Sequence, residues 1–245
     1  PVYVEKPMAV RYSDCIAMNR KAEEKQVSLF VAYYRRSLPY FKQVKDLLSA
    51  EAIGSVLLTQ VNLWLPPRKE DLQSGNLPWR VQPRISGGGY FYDMACHQLD
   101  LLDFFFGPAT EVCGVFANRA KLYAPEDVVS VSLKFESGII ASGSWCFTTY
   151  ESAKKDLIEI IGTKGKITFS TFDFSPILLE NMEGTKTFQP ANSENIQFHM
   201  IQDVVNELRG EGISPSDGIS GARTNHVMDF ILDKVRHTQE TCSRN

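Results

Sequence analysis

The stretch GGGYFYDMACHQLD, residues 87–100, places Asp93, His97 and Asp100 at spacings of four and three. On an ideal helix those spacings put all three on one stripe. Imidazole takes up and returns a proton near neutral pH, and a carboxylate one turn away can orient it or hold a ligand. A fourth group is Lys6 in EKP, just past the β-prone run Val2–Val4. Its ammonium can stabilise negative charge as it develops on an oxygen. Pro7 restricts the backbone of the lysine before it. Two other readings fit the same residues. Asp93 or Asp100 can cap neighbouring backbone with His97 bridging them, which is how most buried polar groups are satisfied. A cation site is the weaker one, because His199, His226 and His237 form no supporting cluster.

The segment that carries the stripe reads as one helix over 89–106, closed by Gly107 and Pro108. Phe91, Ala95, Leu99, Leu102 and Phe106 face the other way, and Leu101, Phe104 and Phe105 fill the arc between, so the helix is expected to be buried. Ionised carboxylates on such a helix must be paired or must line a cavity. The glycines at 87–89 are expected to let backbone approach a ligand. Around this helix the pattern predicts helices over 10–26, from Pro39 towards Gly54, over 194–209 and over 220–236. It predicts strands at 27–34 and 54–65, a loop at 66–86, then strands at 110–119, 128–135, 139–148, 156–162, 165–170 and 176–180 in an antiparallel meander. That is an α+β class: an open, mostly antiparallel sheet with helices on one face. The free face reads as a partner surface, because GIIASGSWCF carries apolar residues on both alternations; the alternative is a face merely rich in Ser and Thr.

Composition narrows the function. With 43% hydrophobic and 22% charged residues the chain can build a core, which argues against disorder. A net charge of −3, with no basic run, implies neither nucleic acid nor an anionic membrane as partner. Five scattered cysteines without a CxxC read as reduced thiols in a cytoplasmic protein. PVYVEKP at the start reads as the interior of a longer protein.

Glu5-Lys6-Pro7, then Gly87-Gly88-Gly89, Asp93, His97 and Asp100, resembles the glucose–fructose oxidoreductase, inositol dehydrogenase and MocA family, whose pattern is EKP followed by GGG-x-x-x-D-x-x-x-H-x-x-D. LPWR at 77–80 resembles one branch, and SDGISGARTNHVMDFIL resembles the family's closing helix. The resemblance spans essentially the whole chain. It implies an α/β parent, with residues 1–9 as the last strand of a dinucleotide-binding Rossmann domain and 10–245 as the substrate-binding and oligomerisation domain. Within the latter, 10–26 would be a linking helix and 220–236 the closing one. It implies NAD or NADP as cofactor and a sugar, polyol or related hydroxy compound as substrate, in a homo-oligomer joined through the open sheet. Lys6, Asp93 and His97 would be catalytic; Glu5, Lys6, Trp79 and Arg80 would contact the cofactor. Asp93 and His97 would also hold substrate, with Tyr34 and Arg35 as further contacts whose alternative is a solvated basic turn. No G-x-G-x-x-G occurs, so the chain alone is expected to bind no dinucleotide and to be inactive. The rival expectations are a non-catalytic sugar-binding or dimerisation module and an NAD-dependent glycosidase of the same superfamily.

Overall fold

The computed structural model describes residues 1–73 and 75–242, the side chains of 233–242 excepted, so His237 and Cys242 lie outside the described side chains. In chain order the elements are β1 Val2–Val4, α1 Tyr12–Glu24, β2 Leu29–Val31, α2 Pro39–Ser49, β3 Val56–Trp64, α3 Pro83–Ser86 and α4 Cys96–Phe106. There follow β4 Ala109–Ala117, β5 Val128–Phe135, β6 Ile140–Cys146, β7 Lys155–Gly162, β8 Gly165–Phe169, β9 Ile177–Asn181 and β10 Gly184–Phe188, then α5 Phe198–Leu208 and α6 Gly218–Cys242. β1 and β2 pair in parallel as a separate two-stranded sheet. The other strands form one sheet in the order β10-β9-β8-β7-β3-β6-β5-β4.

The helices cover one face, as expected. Aromatic edges stitch the layers together: Phe41 of α2 meets Phe169 of β8 at 6.3 Å, and Phe105 and Phe106 of α4 meet Phe169 and Phe135 at 6.0 and 5.4 Å. Each fully buried ring of this kind is worth roughly 1.5–3 kcal/mol over exposure. α6 closes over β4, where Gly114 leaves room for Ile231; a Cβ there would stand 2.9 Å from the Ile231 side chain.

Four expectations are corrected. First, the strands are not one meander. β3 sits between β6 and β7, parallel to the former and antiparallel to the latter. Second, the sheet has a further strand, β10, beyond the last one expected at 176–180; its side chains are almost all exposed, so it carries no alternation to reveal it. Third, the strand expected at 27–34 ends at Val31, and the chain turns at Tyr33 (φ −79°, ψ 60°) into a 3-10 turn, Tyr34–Ser37. Fourth, the helix over 89–106 opens with a π-turn, Phe91–Ala95, which breaks the 3.6 period assumed for it.

The uncovered sheet face shows the polar alternative at its centre, with Gln60, Asn62, Ser130, Ser132, Ser142 and Ser144, while Ala141 and Trp145 turn inward to the core. Trp64 Nε1 donates to Ser144 Oγ (2.9 Å), which donates to Asn62 Oδ1 (3.0 Å). Exposed apolar side chains remain at Leu57, Val115 and Ile140. Among the described residues no helix is long and apolar enough to cross a membrane. Cys15, Cys96, Cys113 and Cys146 are free thiols.

Candidate active site

Parallel pairing of β1 with β2 delivers Lys6 just beyond the strand end, towards the π-turn. Its Nζ donates to Asp93 Oδ1 and to the Asp93 carbonyl, both at 2.8 Å. The other carboxylate oxygen, Oδ2, accepts from Arg80 Nε at 3.1 Å. Arg80 lies 4.6 Å over the ring of Trp79, which is 50% exposed. Lys6, Asp93, Trp79 and Arg80 are therefore brought together. Glu5 is exposed.

His97, at the start of α4, is 5% exposed. Rings surround it: Tyr33 at 6.2 Å, Tyr34 at 5.6 Å and Phe172 at 6.0 Å. Its Nδ1 is buried and has no hydrogen-bond partner among the described residues. Burial first, then the charges of Arg35 and Lys6, hold its pKa well below the usual histidine range. The ring is therefore neutral at pH 7 and has a nitrogen able to accept a proton.

Tyr34 and Arg35 do not form a solvated basic turn. Arg35 is 4% exposed, donates to the Tyr34 hydroxyl (2.8 Å) and the Thr171 carbonyl (3.3 Å), and lies under the rings of Tyr34 and Phe172. Arg36 points the other way. It clasps Asp100 through Nε (2.9 and 3.0 Å) and Nη2 (2.7 Å), and Nη2 also reaches Asp103 Oδ2 (2.9 Å). Arg223 closes the network on Asp103 at 2.7 and 2.8 Å. These charge-assisted bonds hold Arg36 protonated against the cost of burial, and burial pushes Asp100 up to about 6 while Arg36 pulls it down. Asp100, held by Arg36, is thus turned away from Asp93, which lies in the π-turn, and belongs to the core.

The glycines are also corrected. At Gly88 a Cβ would stand 2.7 Å from Tyr92, and at Gly89 2.6 Å from Pro125, so the bare backbone admits the chain's own side chains. Sequence reasoning missed the loop after β8. Asp156 accepts backbone N–H bonds from Thr171, Phe172 and Asp173, and Gln98 donates to Thr171 Oγ1 (3.1 Å) while accepting from Trp145 Nε1 (2.6 Å). This sets Phe172 against His97, and no local pattern announces it. A cavity of about 640 Å³ between α1, β2 and α6 contains none of Lys6, Asp93 or His97; its His226 packs against Tyr12 with the rings tilted and 4.7 Å between centroids. Among the described residues no group of three or more His, Cys, Asp or Glu is placed to hold a metal ion.

Residues 41–168 match the GFO/IDH/MocA C-terminal domain. Oxidoreductase P35 of Formosa agariphila is 30% identical over 230 residues, 94% of this chain and 70% of the relative. The chain belongs to the GFO/IDH/MocA family. Within it, the 1,5-anhydro-D-fructose reductase of Ensifer adhaerens is 25% identical over 228 residues, 90% of this chain and 66% of the relative. The WlbA dehydrogenase from Bordetella pertussis, solved in complex with NADH and UDP-GlcNAcA, is similar with a TM-score of 0.76 at 25% identity, covering 96% of this chain and 69% of that one. The chain spans about two thirds of the length of these relatives, and the relatives named are oxidoreductases.

Proposed function

We propose that the protein containing this chain is an NAD(P)-dependent oxidoreductase of sugar or polyol hydroxyl groups, and that this chain supplies the substrate side of its site. The observation that carries the proposal is Lys6 Nζ locked at 2.8 Å to Asp93 beside a neutral His97 whose Nδ1 has no partner. The kinship with oxidoreductases supports the reading, as does the levoglucosan dehydrogenase structure with NADH and L-sorbose, a fold likeness at TM-score 0.82.

The residues fit a nicotinamide cofactor. Half-exposed Trp79 leaves an aromatic surface bare beside the Lys6–Asp93 pair, with Arg80 and exposed Glu5 at the rim. When bound, the nicotinamide exchanges hydride with the substrate carbon. His97 accepts the hydroxyl proton on its imidazole, and its neutrality makes it competent to do so. The Lys6 ammonium stabilises the developing alkoxide. Asp93 holds Lys6 in place, and the rings of Tyr33, Tyr34 and Phe172 keep water from His97. The division at residue 9 belongs to the same proposal. So does assembly through the uncovered sheet face.

The test is reduction of NAD⁺ or NADP⁺ by the full-length protein over a panel of sugars and polyols, with His97→Ala and Lys6→Met as controls. Wild-type turnover that both variants lose supports the proposal. Turnover that survives in both removes the site from the chemistry.

A further inference from the structure

Arg35 is buried without a counter-ion. It takes part in no ion pair among the described residues, and its two hydrogen bonds, to a phenol and a carbonyl, use two of five N–H donors. A buried guanidinium ordinarily has a carboxylate partner. The candidates nearby are engaged elsewhere. Both oxygens of Asp156 accept the backbone N–H groups of 171–173. Asp93 is divided between Lys6 and Arg80. Asp100 and Asp103 are held by Arg36 and Arg223. Burial pushes the Cys96 thiol up to about 12, so it supplies no anion. Glu5 is exposed at the rim.

The unpaired cation and the proton acceptor share one wall. The ring of Tyr34 lies 5.0 Å from the Arg35 guanidinium and 5.6 Å from the imidazole of His97. Phe172 lies 4.6 Å from the first and 6.0 Å from the second. Lys6 and Arg80 already share the single carboxylate of Asp93, and the charges of both Arg35 and Lys6 are felt at His97, in a chain whose overall net charge is −3. An oxidised nicotinamide would add a further positive charge.

We propose that the substrate of this site carries a carboxylate that pairs with Arg35, which makes it a sugar acid rather than a neutral sugar. The inference rests on the oxidoreductase reading for its hydroxyl chemistry, but not for the anion. A planar guanidinium edge matches a carboxylate in a two-point contact, and a desolvated site strengthens it. The same anion offsets the charge of Arg35 on His97, which raises the basicity of the imidazole only when the correct substrate is in place.

The test compares D-gluconate and D-glucuronate with D-glucose and myo-inositol as substrates of the full-length protein, with D-glucose 6-phosphate as a further arm. The expected result is a kcat/KM for an acid at least about 30-fold above its neutral counterpart, the scale on which removing one member of a buried charge pair is felt. Arg35→Gln should collapse that ratio towards one, whatever it does to the turnover of the neutral sugar. Equal turnover of acid and neutral forms overturns the inference, as does an Arg35→Gln loss equal for both. Preference for the phosphate ester overturns the carboxylate assignment. Should Arg35→Gln fail to fold, the wild-type ratio decides alone. If nothing is turned over, melting temperatures decide: stabilisation by the acids and not by the neutral sugars sustains the inference and sinks the oxidoreductase reading, whereas no acid-specific stabilisation sinks the inference itself.

Discussion

Asp100 and His97 lie three residues apart on one helix, and their replacement should have opposite signatures. Asp100→Ala leaves Arg36, 3% exposed, with Asp103 and the backbone carbonyls of Pro215 and residue 100 as its remaining partners. Breaking a buried ion pair from one side costs roughly 3–5 kcal/mol. Because Asp103 stays within 2.9 Å, the lower end applies, about 3 kcal/mol. For a chain of this length that lowers Tm by about 6–12 °C. Turnover per folded molecule should not change, since Asp100 faces Thr224 and Arg36 rather than the His97 pocket. Circular dichroism melts and kcat, measured on the same purified full-length variants, read both quantities. Arg36→Met with Asp100→Leu should recover most of the lost stability, because apolar side chains of similar volume replace buried pairs at little cost. The reasoning fails if Asp100→Ala melts with the wild type and loses turnover, which would make Asp100 part of the chemistry.

His97→Ala should show the reverse, with kcat down by about 10²–10⁴ and little change in Tm. Lys6→Met should lower kcat comparably, and the double variant should lose less than the sum, since both act on one transition state; additive losses in a kinetic cycle would contradict that. Protonation of His97 is disfavoured in the fold relative to the unfolded chain, so its contribution to stability is complete above the ordinary histidine pKa and is lost as pH falls below it. Chemical denaturation of wild type and His97→Gln at pH 7 and pH 5 should differ by up to about 2 kcal/mol in their pH response, the wild type losing more; parallel responses would mean that folding does not disfavour protonation of His97. Gly88→Ala should destabilise by about 1–3 kcal/mol, because its Cβ would meet Tyr92; an unchanged melt would show that the π-turn yields.

The strands of the second half were legible because β5, with burial alternating along VVSVSLKF, shows the period of two that a half-covered sheet imposes. The EKP and D-x-x-x-H residues were legible as types, and Lys6 does meet Asp93. What could not be read is whatever depends on distant partners. Nothing local in VLLTQVNLW places β3 between strands from the other half of the chain. The wheel that put Asp93 and Asp100 on one stripe assumed a uniform period, and the π-turn between them sends one to Lys6 and the other to Arg36. Tyr34-Arg35-Arg36 reads as a basic turn until the 3-10 geometry directs the two arginines to different neighbours. Phe172 carries no signal, since its place is set by Asp156 and Gln98.

The position of β3 has a kinetic consequence. Its two hydrogen-bonding neighbours, β6 and β7, begin at Ile140 and Lys155, so β3 emerges from the ribosome some eighty residues before either edge exists. The β4–β5–β6 and β7–β8–β9–β10 arrays can each form from local hairpins. The two halves become one sheet only when β3 enters between them. Long-range closures of this kind are slow, and they leave strand edges open to other chains while they wait. Slow refolding should therefore be governed by insertion of this strand, and substitutions in β3, such as Val61→Ala, should slow refolding more than equally destabilising ones in the β9–β10 hairpin.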